Sequence, residues 1–244
     1  MVSKLLLCLV LSLTIVPSLF AQSAFHVFPQ VADGFSGPLT YQSSLMVRNA
    51  SESAAVDCTL RLYGLRVTVL LLRRGTLVGP NSVFTLTFGG NAWAYLTTNG
   101  QQALATGYAT LTCTGPVFAQ MLYSLYNGST KLGEAAVFST DEGPRSQLIA
   151  DQTEGAHLGI AIANNTDAAH DYLITAFDTD GTMIGTATVR IGPRLSLPRF
   201  LDELLPASAN TLASASIRAM DASSFSTIDL RFTGPVFATI SPTR

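Results

Sequence analysis

Few residues in this chain combine the types and spacing that chemistry needs. Trp93 and Tyr95 stand two apart in the run 92–97, so a strand there presents both rings on one face. Asn91 precedes them and Asn99-Gly100 follows. On an open sheet face such rings stack on sugars, as in carbohydrate-binding modules. Inside a sandwich the same rings are core filling. Tyr41, Tyr123 and Tyr126 are candidates to widen the patch. Trp93 is the chain's one tryptophan.

The remaining candidates read as structure. His26, His157 and His170 are scattered, without the context of a nucleophile–base–acid set, and no Gly-x-Ser-x-Gly elbow is present. No His or Cys pair has zinc-ligand spacing. Asp178-Thr179-Asp180-Gly181 looks like half a calcium loop, but Ala176 and Ala187 stand where further ligands are needed. Asp-Gly between strands instead signals a type I′ hairpin. Asp202 and Glu203 are adjacent on a short helix and diverge by about 100°, so they are poorly placed to act as a pair across a scissile bond. Asn49-Ala-Ser51, Asn127-Gly-Ser129 and Asn164-Asn-Thr166 fit the N-glycosylation pattern, yet Asn, Gly, Ser and Thr also make turns. They are read as turns. No cofactor and no metal is expected.

The elements that must carry these residues are strands. Alternating or β-branched runs occur at 41–48, 55–63, 66–72, 83–88, 92–97, 104–113, 117–125, 134–139, 158–163, 171–177, 183–191, 212–219, 224–232 and 235–240. Turn residues separate them. One helix is expected, over 199–205, with Pro198 at its start and Pro206 beyond it. The charged, Gly-Pro-containing segment 141–146 reads as a boundary. It divides the chain into units over 24–140 and 147–244, each of immunoglobulin-like size.

Met1 to Ala21 reads as a secretory signal peptide: Lys4 supplies positive charge, Leu5–Val16 the apolar stretch, and small residues follow at Ala21 and Ser23. That stretch is short for a bilayer span. The expectation is a secreted protein (extracellular, periplasmic or cell-surface) with no stable membrane insertion after cleavage. Formal charge is −2, and only 12% of residues are charged. No basic field exists to hold nucleic acid. Of three cysteines, Cys58 and Cys113 lie beyond the leader. Both occupy inward positions of alternating strands. An even pair in an oxidising compartment suggests a disulfide, and two separate buried thiols are the alternative.

The halves look related. Residues 45–64 parallel 160–181, with Asn49 matching Asn164, and 104–123 parallel 212–231. The identical hexapeptides at 114–119 and 233–238 offer a competing register, which breaks strand order. The segments FPQVADG (28–34), GIAIANNTDAA (159–169), FDTDGTMIGTATV (177–189) and PRFLDELLP (198–206) together resemble a group of uncharacterised secreted bacterial proteins with tandem immunoglobulin-like β-sandwich domains. The resemblance covers most of the chain beyond the leader and is best over 147–240. It implies an envelope or extracellular location and no activity. The segment 64–80 departs from the group's pattern. The expected fold is all-β: two tandem immunoglobulin-like β-sandwiches after the leader, with one short helix in the second. The expected function is that of a non-catalytic protein, structural or adhesive, contacting a protein or glycan surface. A carbohydrate-binding module using Trp93 and Tyr95 is the alternative.

Overall fold

The structure is a computed structural model describing residues 23–240 and 242–243. The signal-peptide reading of 1–21 falls outside the described residues. The first half holds β1 (Ser23–Ser36), β2 (Leu39–Asn49), β3 (Val56–Tyr63), β4 (Val69–Leu72), β5 (Thr76–Val78), β6 (Val83–Phe88), β7 (Trp93–Thr97), β8 (Ala105–Asn127) and β9 (Thr130–Val137). The second holds β10 (Arg145–Asp151), β11 (Ala156–Ala163), β12 (His170–Phe177), β13 (Met183–Ile191), β14 (Ser196–Phe200), α1 (Leu201–Leu204), β15 (Leu212–Ala219), β16 (Ser226–Thr233) and β17 (Val236–Ile240). Pairing between named strands is antiparallel throughout, and the chain is all-β.

Several segments depart from the sequence pattern, among them β5, which no expected run covers, and β8, which joins the expected runs 104–113 and 117–125 into one strand. β1 was not legible, because Pro29, Gln30 and Asp33 interrupt alternation; its register with β8 shifts between Phe28 and Val31. β10 begins at Arg145, within the segment read as a boundary, and pairs with β15 from Arg145↔Arg218 onward. α1 starts at Leu201, later than expected. Pro198 lies in β14 opposite Ala161, and β14 is an edge strand, where proline's missing N–H costs no ladder bond.

One eight-strand unit is used twice. In the second half the sheets run β10-β15-β12-β13 and β14-β11-β16-β17. In the first, β8 runs continuously through both sheets. Its residues 105–113 pair with β1 and β3, and its residues 117–127 pair with β2 and β9. The orders β1-β8-β3-β6 and β7-β2-β8-β9 therefore repeat those of the second half. The β4–β5 hairpin is an addition of the first half, inserted in the segment 64–80 and paired to β7. The hexapeptide at 114–119 lies where β8 passes between sheets, whereas 233–238 forms the β16–β17 hairpin. Their identity is not a structural correspondence.

Buried asparagines lock both units at the same place. Asn49 and Asn164 are each 0% exposed. Asn49 Nδ2 donates to the carbonyls of Ala54 (2.8 Å), Phe88 (3.2 Å) and Gly89 (3.0 Å), and Oδ1 accepts from Ser51 N (2.8 Å). Asn164 Nδ2 donates to Ala168 (2.7 Å), Ile191 (3.3 Å) and Gly192 (2.9 Å), and Oδ1 accepts from Thr166 N (3.1 Å). Each amide closes its own turn and holds the end of a later strand, β6 in the first half and β13 in the second.

The halves pack together. The outer face of β11 and β16 lies on the first half, so Ala161, Ile228 and Leu230, with Phe237 of β17, join that half's core. Tyr123 meets Phe237 edge-on at 5.3 Å. Tyr108, stacked on Tyr63 at 4.5 Å, donates to Asn165 Oδ1 (3.1 Å). Arg194 Nη1 donates to the same oxygen (2.7 Å) while its guanidinium pairs with Asp167.

Cys58 and Cys113 are opposite each other on β3 and β8 and are joined by a disulfide, with Cα atoms 4.1 Å apart. The bridge ties neighbouring strands of one sheet and does not span the sandwich. It closes a loop with sequence separation 55, which corresponds to about 4 kcal/mol of chain entropy. Thiol titration of denatured, unreduced protein should find neither thiol free, and Cys58→Ala with Cys113→Ala should lower stability by about 2–5 kcal/mol. Two free thiols, or an unchanged melting temperature, would contradict this.

Asp229 is discordant with its core position. Opposite Ile160, it faces the interior of the second sandwich, at the position Met121 fills opposite Leu45 in the first. It is 0% exposed, and neither carboxylate oxygen has a hydrogen-bond partner. Burial pushes its pKa well above the ordinary carboxylate range. Below about pH 3.9 the group is neutral in both folded and unfolded chains. As pH rises, the unfolded chain ionises first, so stability falls. Asp229→Met should therefore raise stability at pH 7 by about 1–3 kcal/mol, and the gain should shrink as pH is lowered toward 4. Urea midpoints across pH read both.

Candidate functional site

Trp93 stands on the outer face of the β7-β2-β8 sheet and is 61% exposed. Its placement follows from Asn49. The Asn49 backbone N–H donates to Ala92 O (2.9 Å), its side chain holds Phe88 and Gly89, and Asn91 N donates to Ser51 O (2.8 Å). The link from β6 into β7 is thus fixed residue by residue. Cross-strand register then aligns two outward rows. One is Trp93–Arg48–Phe118, and the next is Tyr95–Met46–Gln120. Arg48 Nη2 donates to Asn91 Oδ1 (3.1 Å).

Grooves flank Trp93 on both sides. The larger, about 740 Å³, runs between Trp93, Arg48, Phe118 and Phe138, with Met46, Gln120 and His26 in its wall. The other lies between Trp93, Tyr95 and the Arg73-Arg74 turn of the β4–β5 hairpin. No carboxylate lines either groove. His26 Nε2 donates to the carbonyls of Ser23 (3.1 Å) and Val117 (3.3 Å), and burial lowers its pKa, so His26 is a neutral part of the wall. The cations at this face are arginines.

The structure separates the other tyrosines from this patch. Tyr41 and Tyr123 are turned toward the second half and line a cleft of about 280 Å³ with Phe200, Phe232 and Arg199. Tyr126 lies beneath Lys131 Nζ, 5.5 Å from its ring centre. Phe118 and Phe138 were missed as site residues. Phe118 could have been found from the β2–β8 register, but alternation alone does not say which face is open.

His170 is more than a scattered histidine. Its Nδ1 faces Asp221 Oδ2 at 2.6 Å and its Nε2 faces Thr166 Oγ1 at 2.8 Å. The order carboxylate–imidazole–hydroxyl is that of a nucleophile triad. Thr166 Oγ1, however, donates to Asn164 Oδ1 (2.8 Å) and accepts from Ala168 N (3.3 Å). In the first half Ser51 Oγ accepts from Ala54 N (2.9 Å) in the corresponding turn, with no histidine present. The hydroxyl therefore belongs to a turn that both units build, and His170 braces it. None of the grooves described is lined by Thr166, His170 or Asp221.

Asp202, Glu203 and Asp178 have partners, and Glu203 also lines the cleft with Tyr41, Tyr123 and Phe200. Asp202 meets His157 Nδ1 at 2.8 Å, and Glu203 lies 3.9 Å from Arg199. Asp178 Oδ1 accepts from Asp180 N (3.0 Å) and Thr182 N (2.8 Å), closing the β12–β13 turn. Only Gly181 there has positive φ (79°), so the turn is not type I′. It carries a left-handed glycine and a register shift at Ala176/Phe177. Of the Asn-x-Ser/Thr asparagines, Asn49 and Asn164 are sealed in the core and Asn127 is exposed. No group of three His, Cys, Asp or Glu side chains among the described residues could hold a metal ion. No described helix is long and apolar enough to cross a membrane.

No protein-family model, curated protein or solved structure matches the chain.

Because Asn49 sets the approach to β7, Asn49→Ala should both destabilise and disorder the Trp93 face. The expected loss is about 2–4 kcal/mol, from a small cavity and carbonyls left without donors. Trp93 fluorescence should broaden under native conditions. A stability change within about 0.5 kcal/mol would contradict the role given to this amide.

Proposed function

We propose that the chain is a non-catalytic secreted or cell-envelope protein that acts by surface contact, and that its contact surface is the outer face of β7, β2 and β8. The observation that carries this reading is Trp93: a large aromatic, 61% exposed, between grooves, on a strand whose approach is hydrogen-bonded to Asn49 and Ser51. Exposed tryptophan, tyrosine and arginine are the side chains that dominate contact surfaces. A leader at 1–21 and a bridged cysteine pair favour an oxidising, extracytoplasmic location. Thr166, His170, Asp221 and Asp178, the groups arranged most like chemistry, hold turns, which supports contact over catalysis.

The sandwich units are read as immunoglobulin-like. Support comes from the pairing of second strand with fifth and third with the strand that returns beside it, as in the B–E and C–F pairs of that fold. The first strand of each unit takes the place beside the returning strand that G holds there. The next-to-last takes the place beside the second strand that A holds. This reading also agrees with the resemblance noted from the sequence.

Carbohydrate is the favoured contact, because Trp93 and Tyr95 are flanked by planar polar groups, Arg48, Asn91 and Gln120, suited to hydroxyls. A glycan array probed with the intact exported protein and with Trp93→Ala tests this. Retention of at least one glycan class by the wild type, lost in the variant, is expected, with the bound glycan recovered at unchanged mass. The absence of any Trp93-dependent ligand, or recovery of a shortened glycan, would overturn it.

A further inference from the structure

The two units put the same row of positions to different uses. Register carries Trp93–Arg48–Phe118 of the first half onto Ser196–Ala163–Ser226 of the second. In the second half this row is small and covered. Ala163 packs on Val27 and Tyr108, and Ser226 Oγ donates to Thr140 O (3.4 Å). Small residues let one sheet lie flat against a neighbouring sandwich. In the first half the row is aromatic and cationic, and it is open. Trp93 and Arg48 project from the sheet, which keeps a flat partner at a distance and leaves grooves on either side for something narrow.

Charge narrows the ligand further. Arg48 lies on one side of Trp93, and Arg73 and Arg74 on the other. The latter two come from the β4–β5 hairpin, which the second half lacks. The chain as a whole carries a formal charge of −2. The arginines are therefore a local feature, not part of a general basic field.

We propose that this face binds an acidic polysaccharide of the uronic-acid type, one sugar ring stacked on Trp93 and neighbouring carboxylates on Arg48 and on the Arg73-Arg74 turn. Guanidinium groups match carboxylates in planar two-point pairs. Asn91 holds Arg48 at the rim of one groove, as such a pair requires. A negatively charged nucleic acid would meet arginines too, but its phosphate backbone needs an extended basic track, and the cations lining these grooves are Arg48, Arg73 and Arg74. The net negative chain also offers no field along which a phosphate backbone would track. The inference rests on the Trp93 face being the contact surface.

Isothermal titration of the intact protein with polygalacturonate oligomers, alongside neutral dextran oligomers and single-stranded DNA, tests it. The expected result is binding to polygalacturonate that weakens as salt rises from about 50 to about 500 mM. It should weaken at least about tenfold in Trp93→Ala and in Arg73→Gln with Arg74→Gln. These side chains are on the surface, and unchanged melting temperatures confirm that the variants are folded. No binding at ~1 mM polymer, or binding insensitive to either variant, overturns the proposal. Trp93-dependent binding to dextran with none to polygalacturonate also overturns it, yet leaves the surface-contact reading standing. DNA bound as tightly as polygalacturonate assigns the arginines to phosphate and overturns it as well.

Discussion

A buried asparagine must satisfy two donors and an acceptor away from water, and this requirement organises each half of the molecule. Leaving those groups unpaired costs more than the net gain from making the bonds. The turn after β2, the end of β6 and the start of β7 therefore adopt the one arrangement in which Asn49 is fully bonded. The same holds for Asn164, β13 and β14. These pins fix how the chain enters β7 and β14, and the cross-strand register then fixes the rows. The row that includes Trp93 is positioned by an amide on the other side of the sheet.

The two halves use the same outer face differently. The outer face of β11 and β16 carries small and aliphatic residues and is consumed in holding the halves together. Its counterpart in the first half is released from that role. The added β4–β5 hairpin extends this free face, with its arginines beside Tyr95 and Trp93. The discordant Asp229 fits the same picture. The second sandwich holds a buried, unpaired carboxyl where the first has Met121.

Much of this was legible in the sequence, for physical reasons. Alternation of period two marks strands with one buried face, and most runs fell within a few residues of observed strands. The correspondence of Asn49 with Asn164 was visible because a polar turn with the same internal bonds needs similar residues. What escaped notice were segments where alternation fails. β1 bends over a bulge and carries Pro29 and the buried Asp33, bonded to Gly100 N (2.8 Å) and Gln102 Nε2 (2.7 Å). β10 follows a Gly-Pro that signals a break. In β16, Ile228, Leu230 and Phe232 suggest the core face by pattern, yet they meet the other half, while Thr227 and Asp229 turn into their own sandwich. The candidate site was half visible: Trp93 and Tyr95 share a face in any strand, but whether that face is open depends on how the halves pack. No pattern within β7 encodes that.

A contact surface here requires Trp93 to be an open platform, and the chain's single tryptophan reports on it directly. Acrylamide quenching of the intact native protein should be efficient, with emission near that of a solvated indole and little further gain on unfolding. A blue-shifted, poorly quenched tryptophan in the native protein would show the ring already covered, and would contradict the assignment of this sheet face as the contact surface.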